Sequence, residues 1–211
     1  MSTPAAHDPN TLPPGLPAPE DDGAADHLPG MVTPPLALPA TSGGPFRVDQ
    51  VPEGFDRLII YAYPLTGRPG LDPPDGWDEI PGARGCTPES CGFRDHAADL
   101  AAGGATVVGL SAQDTSYQRE AAQRLRLPFP LLSDADGELA AALRLPTFTP
   151  AGESPLRRFT RIETLLKRLT LVIRRGPDGR GVVEHVFYPV FPPDRHAEEV
   201  LGWLRSPAVG E

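Results

Sequence analysis

The two cysteines of the chain, Cys86 and Cys91, stand five positions apart in the segment GCTPESCGFRDH. The residue pattern predicts that a helix begins within this segment, at the end of a long loop rich in Pro and Gly. A helix amino terminus offers free N–H groups and a partial positive charge, and both favour a thiolate over a thiol. Arg84 and Arg94 add positive charge nearby. Cys86 is therefore placed where a reactive thiol is expected.

The spacing of the two cysteines argues against a permanent disulfide. On an intact helix, residues five apart have Cα atoms roughly 8.6 Å apart, whereas a disulfide needs about 4.4–6.8 Å. The first turns of the helix must unwind before the sulfurs can join, which favours a transient bridge. Two unrelated buried cysteines remain the alternative. A metal site would need further ligands, and a thiol-exchange motif needs the spacing C-x-x-C.

The composition narrows the class of protein. The 211 residues carry 28 acidic and 19 basic side chains, a net charge of -9, which argues against a nucleic-acid binder. No apolar run approaches the length of a membrane span, and we expect no signal peptide and no membrane contact. Two cysteines are too few for a disulfide-stapled secreted scaffold, so a reducing cytoplasm is the expected compartment.

The chain is predicted to divide into an amino-terminal arm, residues 1–30, and one domain, residues 31–211. The arm is rich in Pro and holds five acidic residues but no Lys or Arg. Such a composition is typical of an extended, solvated segment.

Strands and helices are predicted to alternate along the domain. In chain order we expect a hairpin around Thr41–Gly44, a buried strand at 57–64, a helix from Thr87, a strand at 105–112, a helix from about 114 to 125, a strand at 129–134, a helix at 136–145, a hairpin at 168–189 and a helix at 194–204. The alternation favours a layered α/β fold, to which the closing hairpin adds an antiparallel part.

The helix that carries the cysteines has its own boundary signals. Thr87 is a candidate N-cap, and Pro88 would then occupy the first helical position. The apolar residues Phe93, Ala97 and Leu100 recur at helical spacing, and Gly103-Gly104 is predicted to end the helix.

The segment around the cysteines resembles the peroxiredoxins of the bacterioferritin-comigratory or Q type, in the AhpC/TSA family. The resemblance rests on Tyr63-Pro64 at a strand end and on the run Gly85–Asp95. Downstream, VVGLSAQ, FPLLSDADGELAAALRL and LKRLTLVIRRGPDGRGVVEHVF resemble later parts of the family pattern. The likeness covers roughly residues 30–205.

This resemblance implies a thioredoxin-like fold, a central mixed sheet with helices on both faces, and a thiol peroxidase without cofactor or metal. Cys86 would be the peroxidatic thiolate that becomes a sulfenic acid, and Cys91 would resolve it to an intramolecular disulfide. Thioredoxin or a similar dithiol would reduce the disulfide. Arg168 aligns with the strand arginine that supports the thiolate and the peroxide. The protein is expected to act as a monomer or a homodimer.

The chain departs from the family pattern Pro-x-x-x-Thr-x-x-Cys. Ala83 stands at the Thr position, and about 15 extra residues separate Pro64 from Cys86. Thr66, Thr87 or backbone N–H groups could supply the missing donor, and the sequence does not choose among them. Trp77 and Ile80, in the added segment, could narrow the pocket or form a subunit contact, but Trp77 is expected to pack into the protein's own core.

Two other functions stay open on the sequence. A redox-sensing or regulatory thioredoxin-like protein would keep the fold but turn over poorly, and the alanine at position 83 favours it. A thiol–disulfide oxidoreductase would act on protein disulfides without peroxide. The rate of multiple turnover with peroxide separates these from a peroxidase.

Overall fold

A five-stranded mixed sheet with helices on both faces lies at the centre of the computed structural model, which describes residues 11–150 and 163–206. The strands are β1 Ala37–Pro39, β2 Pro45–Arg47, β3 Arg57–Ala62, β4 Ala105–Ser111, β5 Leu131–Ser133, β6 Thr147–Phe148, β7 Leu165–Leu166, β8 Leu169–Arg175 and β9 Gly181–Phe187. The helices are α1 Cys86–Asp95, α2 Ala97–Ala102, α3 Thr115–Leu125, α4 Glu138–Leu143 and α5 His196–Arg205.

Strand β3 lies in the middle of the sheet, whose order is β5-β4-β3-β8-β9. It pairs in parallel with β4 and antiparallel with β8. Leu58 and Ile60 face one hydrophobic cluster, and Ile59 and Tyr61 face the other. Because the strand is buried on both faces, its sequence is a continuous apolar run rather than an alternating one.

Helices cover both faces of this sheet. On the Ile59 face, Phe93 of α1 and Val200 of α5 join the cluster, and on the other face Leu139 and Leu143 of α4 do so. The α/β class, the mixed sheet and its flanking helices are confirmed. The two predicted hairpins are also confirmed, since β1 pairs antiparallel with β2 and β8 antiparallel with β9.

The beginning of the cysteine-bearing helix differs from the prediction. Helix α1 begins at Cys86, and its N-cap is Gly85 in a left-handed conformation with φ 108. Thr87 is therefore a residue of the first turn and not the cap. A Cβ at Gly85 would lie 2.3 Å from Cγ of Pro193. Only glycine fits in this space, so the helix begins after Gly85. The contact with Pro193 is a tertiary one, and a rule that considers only neighbouring residues does not include it.

The helix is also interrupted before the predicted end. Helix α1 ends at Asp95 and α2 begins at Ala97, with His96 as the junction at φ -100 and ψ 5. Phe93 and Leu100 are fully buried across the junction, as their spacing predicts. The break leaves the cysteines together on one short helix.

The amino-terminal arm is not solvated throughout, which corrects the prediction for its second half. Ala25 and Leu28 belong to the core cluster on the α4 face of the sheet, and the Gly30 N–H donates to the Val183 carbonyl at 2.8 Å. Burying these apolar side chains stabilises the packed conformation. Residues 1–10 of the predicted arm lie outside the described residues.

Within residues 11–150 and 163–206, no helix is both long enough and apolar enough to cross a membrane.

Candidate active site at Cys86

The Cys86 sulfur lies at the beginning of α1, beneath the chain that leaves β3. The residue is 2% exposed. The Leu65 N–H donates to Sγ at 3.4 Å, and the thiol in turn donates to the Ala83 carbonyl oxygen at 3.6 Å. Leu65 is the third residue after β3, so the segment that leaves this strand supplies a donor to the sulfur.

Arg168 brings a positive charge to the same sulfur. It directly precedes β8, is 3% exposed, and its Nη2 donates to Sγ at 3.2 Å. The same nitrogen reaches the carbonyl oxygens of Ala83 at 3.3 Å and of Arg84 at 3.2 Å. These contacts fix the guanidinium beside the sulfur, and the arginine singled out by the resemblance lies next to Cys86.

Glu89 is a buried carboxylate that the sequence reasoning missed. It lies one helical turn after Cys86, is fully buried, and forms an ion pair with Nη1 of Arg168. Its Oε1 accepts no hydrogen bond from the described residues. The signal in the sequence was the i, i+3 spacing, which places two residues on one helix face.

Burial raises the pKa of the Cys86 thiol above its ordinary value. The Arg168 charge and the Leu65 N–H oppose this rise, whereas the Glu89 carboxylate adds to it. The expectation that the helix start, with Arg84 and Arg94 nearby, favours the thiolate therefore left out burial and Arg168. Desolvation disfavours the charged form, and Arg168 is the cation that counters it.

Arg84 and Arg94 are each engaged with a carboxylate. Nη1 of Arg84 donates to Asp78 at 3.1 Å, and Nε of Arg94 donates to Asp95 at 2.8 Å. The backbone of Arg84, through its carbonyl oxygen, contributes to the site by holding Arg168.

The two threonine candidates lie in different surroundings. The Thr66 hydroxyl donates to Oε1 of Gln113 at 3.0 Å, in a buried contact. The Thr87 side chain is 2% exposed, and its hydroxyl has no hydrogen-bond partner among the residues described. Their roles in the reaction stay predictions.

Cys91 is half-buried on α1, and neither cysteine forms a disulfide. Burial raises the pKa of Cys91, and the nearby Arg94 lowers it. With α1 intact from Cys86 to Asp95, the helix geometry keeps the two Cα atoms roughly 8.6 Å apart. A bond between the two sulfurs requires this helix to open.

The inserted segment closes one side of the site with apolar side chains. Trp77 is 4% exposed and clusters with Ala83 and Leu165, and its ring lies 6.2 Å from that of Phe148. The expectation that Trp77 packs into the protein's own core is confirmed.

Aromatic rings support α1 from the side of the sheet. The rings of Tyr61 and Phe93 stack with centroids 4.5 Å apart. The Tyr61 hydroxyl donates to Ser90 at 3.1 Å, and Ser90 donates to the Cys86 carbonyl oxygen at 2.9 Å.

In the described part of the chain, no group of three or more His, Cys, Asp or Glu side chains lies close enough together to hold a metal ion.

The chain is similar to known proteins in sequence and in fold. Residues 80–176 match the AhpC/TSA family. A chloroplastic peroxiredoxin Q of Populus jackii is 32% identical over 149 residues, 71% of this chain and 55% of that protein. A chloroplastic peroxiredoxin Q of Sedum lineare is 29% identical over 177 residues, which are 84% of this chain and 77% of that protein. The solved structure of peroxidoxin BcpB from Mycobacterium tuberculosis has a TM-score of 0.59 and 28% sequence identity, and the match covers 88% of this chain and 100% of the BcpB chain.

These likenesses include both the fold and the cysteine segment. This chain matches about half the length of the Populus jackii protein and all of the BcpB chain. The structural likeness assigns the central sheet and its helices to the thioredoxin-like fold. Residues 80–176, which match the AhpC/TSA family, include both cysteines and Arg168, and they belong to a chain that is similar to peroxiredoxin Q and to BcpB.

Proposed function

We propose that this protein is a thiol peroxidase that reduces hydrogen peroxide or small organic hydroperoxides. The observation that carries the proposal is the Cys86 sulfur at the start of α1 with Nη2 of Arg168 at 3.2 Å. The AhpC/TSA match over residues 80–176, which includes both cysteines and Arg168, supports it.

In the first step the Cys86 thiolate attacks one peroxide oxygen. A sulfur–oxygen bond forms and the oxygen–oxygen bond breaks, so that sulfur is oxidised to a sulfenic acid and an alkoxide or hydroxide leaves. The leaving oxygen takes up a proton and departs as alcohol or water. Arg168 stabilises the negative charge on the sulfur and then on the departing oxygen.

In the second step the Cys91 thiolate attacks the sulfenic sulfur of Cys86. A disulfide forms, and the sulfenic oxygen leaves as water after taking up a proton. This step needs the start of α1 to unwind, because the sulfurs cannot meet on the intact helix. The Gly85 junction and the short length of α1 support such opening.

In the third step a dithiol reduces the disulfide and returns both cysteines to thiols. Thioredoxin or a similar protein dithiol is the proposed donor, and it supplies the two electrons that the peroxide consumed. A reducing compartment such as the cytoplasm is the proposed setting, since the cycle must end in reduced thiols. Replacement of one protein dithiol by another in a reconstituted assay identifies the donor.

The proposal is tested by measuring peroxide consumption with a dithiol reductant. Cys86→Ser is expected to abolish turnover, and unchanged turnover in this variant overturns the proposal. Cys91→Ser is expected to prevent the intramolecular disulfide while still permitting one oxidation of Cys86. Oxidation that stops after one equivalent in the parent protein points instead to a redox sensor.

A further inference from the structure

Gln113 is a fully buried side chain that lies between β4 and α3 and holds the chain that leaves β3. Its Oε1 accepts the Thr66 N–H at 2.9 Å and the Thr66 hydroxyl at 3.0 Å. Its Nε2 donates to the Thr66 carbonyl oxygen at 3.4 Å. One side chain thus engages every polar group of Thr66.

These contacts extend the pairing of β3 with β4 past the end of both strands. The Tyr63 N–H donates to the Leu110 carbonyl at 3.0 Å, as the last backbone bond on this side, and Gln113 then binds Thr66. Leu65 lies between these two fixed points. Because a peptide unit is planar, binding Thr66 at its N–H also sets the orientation of the Leu65 carbonyl and restricts the Leu65 backbone.

The Leu65 N–H is the backbone donor to the Cys86 sulfur, at 3.4 Å. A hydrogen bond to a thiolate is stronger than one to a thiol, so the donor favours the reactive form. Ala83, three residues before the cysteine, has no hydroxyl to add. The direction of the Leu65 N–H therefore affects the reactivity of Cys86.

We propose that Gln113 is a positioning residue for the Cys86 thiolate: by holding Thr66 it directs the Leu65 N–H at the sulfur. This inference rests on the proposed function of Cys86 as the peroxide-reactive thiol. Gln113 does not touch the reacting atoms and acts through the backbone of residues 65 and 66. Its side-chain amide makes hydrogen bonds to Thr66 through both Oε1 and Nε2, and its backbone N–H donates to Oγ of Ser111 at the end of β4.

The test uses the full chain with Cys91→Ser, so that Cys86 is the single thiol. Gln113→Met keeps the length and apolar stem of the side chain but lacks its hydrogen bonds. We expect iodoacetamide to alkylate Cys86 about tenfold more slowly near neutral pH. The reason is that the Leu65 N–H is no longer held toward the sulfur, so its hydrogen bond to the thiolate weakens. The pH profile of alkylation is expected to move to higher pH, and the Leu65 amide to exchange its hydrogen faster.

Gln118→Met is the matched control. Gln118 is also fully buried, and its Nε2 donates to Oγ of Ser111 at 2.9 Å and to the Leu132 carbonyl at 2.7 Å. Gln118 therefore bonds to strands β4 and β5, and its hydrogen bonds do not involve Leu65 or Thr66. A merely structural effect of losing a buried amide would appear equally in both variants, whereas the inference expects the change in Cys86 reactivity in Gln113→Met alone.

A Gln113→Met protein whose alkylation profile superimposes on that of its parent overturns the inference. If this variant does not fold, Gln113→Asn takes its place, since its amide is one methylene too short to reach Thr66 and the same slowing is expected. Alkylation requires no peroxide and no turnover. Failure of the peroxidase proposal and failure of the Gln113 inference therefore give different results.

Discussion

At the scale of single residues, the reactivity of Cys86 depends on two opposed effects. Burial and the Glu89 carboxylate disfavour a charge on the sulfur, whereas Arg168 and the Leu65 N–H favour it. The balance lies on the thiol side, since the pKa of Cys86 is raised. Once the thiol has lost its proton, Arg168 and the Leu65 N–H are already in position to stabilise the thiolate that attacks the peroxide.

The raised pKa predicts a rate that increases with pH. At neutral pH a smaller fraction of Cys86 is thiolate than in an ordinary cysteine, and this fraction grows as pH rises toward the pKa. We expect the alkylation rate of the Cys91→Ser protein to climb throughout the range from about pH 6 to pH 9. Stopped-flow or quenched-flow alkylation measures it. A rate that is already constant across this range contradicts a raised pKa.

The Arg168–Glu89 pair allows the effects of Arg168 on stability and reactivity to be separated. We expect Arg168→Met to lower the free energy of unfolding by about 3–5 kcal/mol, because Glu89 is left as an uncompensated buried charge. Adding Glu89→Gln removes that charge and is expected to restore much of the stability. Urea unfolding measures this in both variants.

Cys86 reactivity is expected to stay at least about tenfold below that of the parent in both variants, because the donor to Sγ is missing. The alkylation assay in the Cys91→Ser background measures it. Recovery of reactivity together with stability in the double variant would show that Arg168 acts on the fold alone.

Some of the residues around Cys86 could be predicted from the sequence, and others could not. Cys86 and Arg168 were identified from a motif and an alignment position, and Glu89 could have been identified from helical spacing. Gln113 is different, because its partners are 47 residues away in the chain. A buried glutamine acquires its role only through the side chains that the fold brings against it.

At the scale of elements, the start of α1 determines where the sulfur lies. Gly85 adopts φ 108 and leaves no room for a side chain, since a Cβ would lie 2.3 Å from Pro193 and 2.9 Å from Leu12. Both the conformation and the close packing require glycine. In the proposed cycle this junction is the point that opens to bring Cys86 to Cys91.

We therefore expect Gly85→Ala to lower the free energy of unfolding by about 1–3 kcal/mol through strain and overpacking. Gly179→Ala is the control, because Gly179 also has a positive φ, 83, but nothing within 4 Å of an added Cβ. Chemical denaturation of both variants measures the difference. A loss in Gly85→Ala no larger than that in Gly179→Ala contradicts the packing part of this explanation.

Element types were more predictable than their ends. The continuous apolar run of β3 and the turn residues between β8 and β9 determine those strands locally, and the structure has them as predicted. Asp114 caps α3 by accepting a hydrogen bond from the Tyr117 N–H at 2.8 Å. The start of α1 was predicted two residues late because Pro193, over 100 residues away, sets it.

At the scale of the whole molecule, the amino-terminal arm reaches from the core to the site. Leu28 lies in the cluster on the α4 face, and the Asp22 carboxylate accepts hydrogen bonds from Lys167 at 2.6 Å and Tyr188 at 2.7 Å. Pro19 then lies beside Gly82, and Leu12 beside Gly85. The arm thus crosses the end of the sheet to the segment that precedes Cys86. Its acidic, Pro-rich composition suggested a solvated segment and did not predict this packing.

Packing of the arm is expected to contribute to the stability of the domain. Leu28→Ala should lower the free energy of unfolding by about 2–5 kcal/mol, since the side chain is fully buried. Leu71→Ala serves as control, because Leu71 is 47% exposed and its loss is expected to change stability by no more than about 0.5 kcal/mol. Equal, small effects in the two variants would show that the arm does not pack in solution.

The central claim, that Cys86 is oxidised by peroxide and Cys91 resolves the product, is tested most directly by intact-mass spectrometry. The protein, Cys86→Ser and Cys91→Ser are each treated with one equivalent of peroxide. We predict that the parent loses two hydrogens by forming the Cys86–Cys91 disulfide, that Cys91→Ser gains one oxygen, and that Cys86→Ser is unchanged. Oxidation of Cys86→Ser at the rate of the parent contradicts the claim.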